Sequence, residues 1–417
     1  MHKKMEKTNE SSAITDVLSK ELFSPLLNNR FTILYGLRRS GKTFFIKNMF
    51  LPFFRDQTNI LCDCLDFEKL SRLGLKGDDE YLEYIKSRSF DVPFLILDEV
   101  SLFQNFPALF RLLKSFPETH FLLVSSVSIG YLDFLKRKKD SGLSFFYFSS
   151  LLFLDSEADF LDLKNDFLPS LRVLSSRVQK DSYLEKLINL ISLPDIAKRE
   201  GVRTIYVLKR ILSLLSSRVG QYLNSSLLSE LYFSLYDRSV DFKTVEKYLS
   251  GLEKSFLIKR ISRMDLKDNK VLGGLYKYYF QDLSVQKFFE ESSKSPNKDS
   301  LEALVALILE SRNIPFWNGF FYSFFTNEKG KRARKPEYID FAFYQEKNLV
   351  LVQAIPQNMS FEQRQDKEET LGKIKRRALR IMLCEEKIES QMDKRTISYL
   401  SVPEFCGFIK FNKSNKT

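Results

Sequence analysis

Histidine is nearly absent and cysteine is scarce: the 417 residues include two of the first and four of the second. Cys62, Cys64, Cys384 and Cys406 lack the spacing of a zinc site, and only His2 and His120 could assist them. A zinc centre is therefore not expected, and the cysteine usage fits a reduced cytosol. Long apolar runs are missing too. Charge interrupts each of them, and the longest candidate, "SGLSFFYFSSLLFL", is too short to span a bilayer. The opening "MHKKMEKTNESSAITDVLSK" has no apolar core of signal-peptide length. The expectation is a cytoplasmic protein with no membrane partner. Neither an internal repeat nor a heptad seam announces a ring, so a homo-oligomer stays open.

What is present is ordinary globular material, with 44% hydrophobic and 28% charged residues in a chain long enough for roughly two to three domains. Lys and Arg total 65 against 53 Asp and Glu, a formal charge of +12. That sign suits a surface that meets phosphate, DNA included, although the excess is modest for this size.

The segment "FTILYGLRRSGKTFFIKNMF" carries the clearest chemistry. From Gly36 to Thr43 it matches G-x-x-x-x-G-K-[ST], with a β-branched and aromatic strand before it and a helix-forming run after it. Gly36 and Gly41 let backbone N–H groups turn inward around phosphates at the positive end of a helix, with Arg39 and Ser40 between them. Lys42 would reach the β and γ phosphates of ATP, and the Thr43 hydroxyl would hold Mg²⁺. Arg38 and Arg39 are placed to touch phosphate, a partner or solvent. A magnesium-dependent site also needs a carboxylate at the end of a neighbouring strand. "VPFLILDEV" supplies Asp98 for the ion and Glu99 to polarise an attacking water. A further strand, "HFLLVSS", ends in Ser125 and Ser126, either a γ-phosphate sensor or a helix cap. Strands alternating with helical stretches predict a doubly wound parallel sheet through about residue 155.

"YGLRRSGKT", "FLILDEV" and "FLLVSSVS", in this order, resemble a family of prokaryotic AAA+-like ATPases described as archaeal-type, or as having a restriction-endonuclease-like C-terminal domain. The resemblance covers most of the chain, strongly in the first third and more loosely after it. It implies ATP and Mg²⁺ as ligands. The family's Gly-Arg pair after the sensor strand, whose Arg acts on the γ-phosphate, falls here on "SGLSFFYF", which puts Leu143 in the place of that Arg. Lys136, Arg137, Lys138 and Lys139 are the available substitutes. Without a cation there, developing negative charge goes unstabilised, so ATP binding is expected with slow hydrolysis.

Residues 156 to 225 read as amphipathic helices suited to a lid. "SSLLSELYFSLYDRSVDFKTVEKYLSGLEKSFLIKRISRMD" then looks like a winged helix whose second helix runs from Lys243 to about Lys254, with "FLIKRISR" and "LYKYYF" as the wing. "KYYFQDLSV" is similar to the family's Lys-Tyr-x-x-x-Asp. On DNA, Lys243, Thr244 and Lys247 would enter the major groove while Lys259, Arg260 and Arg263 meet phosphate; packing against the ATPase domain is the equal alternative.

After the polar linker "KSPNKDS" comes the helix "LEALVALILESRN". Next are a strand around "IPFWNGFFYSFF", a basic hairpin, the strands "YIDFAFY" and "NLVLVQAIP", and one long charged helix over "SFEQRQDKEETLGKIKRRALRIML". This order looks like the PD-(D/E)xK nuclease fold, with Glu302 and Asp340 on its first two positions. The third position holds Gln353, Ala354 and Ile355 instead of an acid two residues before a Lys, so cleavage is not expected. The hairpin bases Lys331, Arg332 and Arg334 are left for polyanion contact.

The expected fold is α/β: a P-loop parallel-sheet ATPase domain at 1–155, a helical lid and winged helix at 156–292, and an inactive nuclease-like domain at 298–417. The expected function is ATP binding with slow Mg²⁺-dependent hydrolysis, acting as a switch for DNA or a protein partner. The alternatives are an ATP-regulated nuclease and a non-enzymatic interaction protein with structural ATP.

Overall fold

Five short strands build the first sheet, the three inner ones apolar and buried on both faces. β1 (Phe31–Tyr35) lies between β4 (His120–Ser125) and β5 (Leu143–Tyr147), and β3 (Phe94–Asp98) and β2 (Cys62–Asp66) continue beyond β4. The order β2-β3-β4-β1-β5 is parallel throughout. The computed structural model describes residues 28–58, 62–75, 77–89, 92–130, 132, 135, 142–148, 177–202, 204–291, 301–326, 330–357, 359–385 and 397–409.

Strand periodicity divides the apolar side chains between two cores. Phe31 and Ile33 face one side and pack with α3 (Phe67–Arg72), α4 (Asp78–Ser89) and α5 (Phe106–Lys114). Leu34 faces the other side. There it meets a helix that begins as α1 (Lys42–Phe45), passes a π-helical turn over Ile46–Phe50 and ends as α2 (Leu51–Gln57).

Helices α6 (Arg177–Lys186), α7 (Leu193–Glu200), α8 (Ile205–Ser216), α9 (Ser225–Tyr236) and α10 (Phe242–Lys254) follow. The hairpin of β6 (Ile258–Asp265) and β7 (Lys270–Phe280) comes next, then α11 (Leu283–Glu291) and α12 (Leu301–Ser311). The remaining strands are β8 (Phe316–Thr326), β9 (Arg332–Gln345), β10 (Asn348–Ile355), β11 (Leu379–Cys384) and β12 (Ser398–Ser401). Helix α13 (Phe361–Gly372) precedes β11, and α14 (Val402–Phe408) follows β12. The second sheet runs β12-β11-β10-β9-β8-β6-β7. β6 pairs in parallel with β8, so strands from either side of the 292–298 division share one sheet.

One expectation is corrected. The stretch predicted as a single charged helix up to Leu383 is helix only to Gly372, and Leu379–Cys384 is a strand parallel to β10. Its four consecutive buried residues, Ile381 to Cys384, belong to an inner strand covered on both faces, and charged neighbours in sequence masked that run.

The two sheets are tied at several points. Ser128 N donates to Lys254 O at 2.7 Å, and Asn313 Nδ2 donates to Phe145 O at 3.3 Å. Phe256, at φ 56°, packs its ring 5.4 Å from that of Tyr35. A cavity of 410 Å³ remains beside these contacts, lined in part by Ser125, Glu253, Lys259 and Gln281.

At the junction of β6, β8 and β9 a side chain on Gly319 would meet Ile339 Cβ at 2.9 Å and Leu266 Cδ1 at 3.1 Å. Gly319→Val is therefore expected to destabilise the second sheet by about 1–3 kcal/mol through overpacking. Denaturant unfolding followed by the fluorescence of Trp317, the single tryptophan, measures it. An unchanged midpoint would show that the junction is looser than these distances.

Candidate nucleotide site and a buried charge cluster

The loop after β1 closes on itself. Gly36 N donates to Ser125 O at 3.2 Å, tying the loop to the end of β4. A Cβ on Gly36 would lie 2.5 Å from the Phe148 carbonyl oxygen, so only glycine allows this approach. Arg39 at φ 65° and Gly41 at φ 99° are left-handed and turn the chain toward α1. Inside the turn Lys42 is 5% exposed, and its Nζ donates to Gly36 O at 3.0 Å and Leu37 O at 2.8 Å. Burial drives its pKa down to about 8, against the opposing pull of Glu99 and Asp98. Ser40 Oγ is buried with no partner among the described residues.

The parallel register brings the strand ends together. Thr43 Oγ1 donates to Asp98 Oδ2 at 2.7 Å, and burial raises the Asp98 pKa more than this hydrogen bond lowers it. Glu99, left-handed at φ 60°, accepts from Ser126 Oγ at 2.8 Å, from Ser126 N at 3.2 Å and from Ser101 Oγ. Of the two serines left open by the sequence, Ser126 therefore reaches the acid. Ser125 Oγ donates to Val127 O at 2.6 Å and so closes its own turn.

Arg38 forms an ion pair with Asp195 on α7 and lies 3.6 Å from Glu68, while Arg39 lies 3.8 Å from Glu68. Leu143 opens β5 inside the core at 3% exposure. Lys136, Arg137, Lys138 and Lys139 lie outside the described residues.

The donor set fits Mg-ATP. A hydroxyl beside a buried carboxylate suits a hard divalent ion, and the unpartnered Ser40 hydroxyl and the ammonium held by loop carbonyls suit an anion. Thr43 and Asp98 would hold the ion, whose chemistry when bound is to neutralise phosphate charge.

A second cluster lies where β7, α12, β9 and α13 meet. Glu302, Asp340 and Lys277 are all buried, and Lys277 Nζ bridges Glu302 Oε2 at 2.9 Å and Asp340 Oδ1 at 3.2 Å. Lys367, from α13, donates to Asp340 Oδ2 at 2.6 Å and to Ala354 O at 2.8 Å. Tyr279 Oη also donates to Glu302 Oε2, at 2.9 Å. Burial would raise the Asp340 pKa, but Lys367 and Lys277 outweigh it and hold the carboxyl at about 2. Burial likewise pulls Lys277 down, but Glu302 and its other neighbours leave it well above the ordinary lysine range.

Glu302 and Asp340 thus come together as the sequence suggested. The cation between them, however, is a lysine of the "KYYF" segment, which sequence reasoning assigned only to the wing. Gln353 accepts from Asp340 N at 3.3 Å and donates to Tyr338 O at 3.0 Å, and Ile355 is buried in the core. Among the described residues no group of three or more His, Cys, Asp or Glu side chains is arranged to hold a metal.

Of the expected nucleic-acid contacts, Lys243 and Lys247 are exposed on α10, and Lys331, Arg332 and Arg334 on the β8–β9 hairpin. The bases expected on a wing are engaged within the fold: Lys259 pairs with Glu310 at 3.0 Å, Arg260 with Glu246 at 2.6 Å, and Arg263 lies over the Phe320 ring.

Residues 28–139 match a family model described as an AAA domain. The first sheet and its glycine loop are thus similar to an AAA domain. Residues 168–289 match a domain of unknown function, DUF8612. An uncharacterized protein of Haemophilus influenzae is 24% identical over 305 residues, covering 67% of this chain and 74% of that protein. One of Methanocaldococcus jannaschii is 21% identical over 363 residues, covering 81% and 77%. Among solved structures, a Walker-type ATPase of Pyrococcus abyssi is similar with a TM-score of 0.41 and 17% identity, covering 65% of this chain and 94% of that one. The Aeropyrum pernix Orc1 protein in complex with DNA has a TM-score of 0.27 and 15% identity, covering 67% and 91%. No helix of the described residues is long and apolar enough to cross a membrane.

Lys277→Met would leave two buried carboxylates facing one ammonium and is expected to cost about 3–5 kcal/mol by denaturant unfolding. Asp340, with its lowered pKa, contributes stability that is present above the ordinary carboxylate range and lost as pH falls toward 2. The unfolding midpoint should therefore drop through that acid window in the wild type, and a flat profile there would contradict the cluster.

Proposed function

We propose that the chain is a slow, Mg²⁺-dependent ATPase that acts as a nucleotide-controlled switch, its C-terminal modules taking up or releasing a DNA or protein partner. One observation carries this reading: Glu99 hangs on Ser126, and two residues later Ser128 N is bonded to Lys254 O at the end of α10. The residue holding the acid therefore sits on the segment that reaches the second module.

A switch needs contacts that differ between its states. The free protein shows three that phosphate would disturb. Lys42 must leave Gly36 O and Leu37 O to reach phosphate. Thr43 must loosen its bond to Asp98 to serve a metal ion. Leu37, within the same loop, is 4% exposed and packs in the core that runs on through the helical and C-terminal modules. Movement of the loop is thereby felt in that core.

Hydrolysis falls to Glu99, which accepts the proton of the attacking water once Ser126 has set its direction. Leu143, expected in the place of a γ-phosphate arginine, instead pairs with Phe31 at the start of β5, at the edge of the sheet away from the loop, so slow turnover rests on the proposal itself and is read by phosphate release. The buried Lys277 between Glu302 and Asp340 favours this reading over the nuclease.

Lys42→Ala is expected to abolish ATP binding, and Glu99→Gln to retain it while losing roughly 10²–10⁴-fold in turnover, both read by a fluorescent ATP analogue and phosphate release. If Lys42→Ala binds ATP like wild type, the site assignment fails. Equal partner affinity with ATP, with ADP and without nucleotide would sink the switch alone.

The Lys42 pKa gives a pH test. Free Lys42 loses its proton near pH 8, whereas bound phosphate would keep it charged, so binding takes up a proton above that pH. ATP affinity should fall from about pH 8 upward, by at most roughly tenfold per unit, and Lys42→Arg should remove the dependence.

A further inference from the structure

The β8–β9 hairpin outruns its sheet. β6 pairs with β8 only up to Phe320, and β10 pairs with β9 only from Phe341 onward, so Phe321–Thr326 and the facing part of β9 form a two-stranded arm. Such an arm gains little from exposing large rings, yet Tyr322 is 42% exposed, Phe324 60% and Tyr338 38%. Register places Tyr322, Phe324, Tyr338 and Arg334 on one face, because Phe324 faces Arg334 and Phe320 faces Tyr338.

On that face each outer ring carries a guanidinium. Arg332 lies 4.3 Å from the Phe324 centroid and Arg334 4.5 Å from that of Tyr322. No carboxylate among the described residues pairs with either arginine. Among the described residues the arm's acid, Glu337, is 5% exposed and held by Lys373 at 2.9 Å. Toward the sheet the stripe continues through Tyr338 to Tyr222, with centroids 5.0 Å apart, and Arg263 covers Tyr222 at 5.8 Å. Its inner end thus stands beside the buried cluster, where Lys277 lies 5.5 Å from the Tyr222 ring.

We propose that this face of the arm binds unpaired nucleotides of a single-stranded nucleic acid, with Tyr322, Phe324 and Tyr338 stacking on bases and Arg332 and Arg334 meeting phosphates. The proposal rests on the reading of the C-terminal modules as the partner-binding part, and it names that partner's chemistry. An acidic protein would satisfy the arginines but leave the ring faces turned away from them uncovered. A duplex would also satisfy the arginines, but its base faces are stacked on one another. Unpaired nucleotides supply both groups in alternation.

Fluorescence anisotropy of the full chain with labelled oligothymidylate, oligouridylate and a duplex of equal length tests it. Both single strands are expected to bind more tightly than the duplex, and the ratio between them says whether DNA or RNA is preferred. Tyr322→Ala and Phe324→Ala should each weaken single-strand binding roughly tenfold, while Phe324→Trp keeps it. Phe324→Leu retains apolar area without a π face, so it should lose binding with the thermal midpoint unchanged. Arg332→Ala and Arg334→Ala should each lower the salt slope by about one.

Equal affinity for duplex and single strand, or ring variants that bind like wild type, overturns the proposal. So does a protein partner lost in Phe324→Ala when neither single strand binds. Single-strand binding that ignores ATP and ADP would sink the switch and leave the arm's role intact. Nucleotide-dependent duplex binding untouched by Phe324→Ala would do the reverse.

Discussion

The candidate nucleotide site depends on all five strands of the first sheet running the same way. Parallel pairing puts every strand's carboxyl end at one edge, so the loop after β1, the acids after β3 and the serines at the end of β4 converge without further design. The register makes this concrete: Leu97 of β3 lies opposite Leu123 of β4, and Tyr35 of β1 opposite Ser125. A shift of one residue would turn Leu34 and Ile33 to the wrong cores, so the packing that stabilises the sheet also fixes the chemistry.

The second half of the molecule answers a different demand, that of keeping charge in a dry interior. Two carboxylates and two ammonium groups balance there, and each carboxylate has more than one donor. Such clusters add little net stability against apolar replacement, but they are strict about geometry. They fix how β7, α12, β9 and α13 meet.

The glycine loop, the Asp-Glu strand end and both carboxylates of the last domain were legible in the sequence because each is a local pattern of few residues. Less legible was anything whose partners lie far apart along the chain. Lys277 sits 25 residues from Glu302 and 63 from Asp340, and Lys367 is 27 residues beyond Asp340. No spacing rule joins them. Ser125 and Ser126 could not be told apart because adjacent strand residues differ only in the face they take. The strand Leu379–Cys384 was read as helix because its charged neighbours mimic helical periodicity. The aromatic stripe was invisible for a related reason, since its rings come from β8, β9 and the segment before α9.

The bond from Ser128 N to Lys254 O has one more consequence. It joins main chain to main chain, so only a proline at the donor removes one of its two groups outright. Variation among descendants of this chain can change what the two modules do and how strongly each is held. The link between them does not depend on which side chains those two positions carry, and new partners can be tried at the far end without rebuilding the near one.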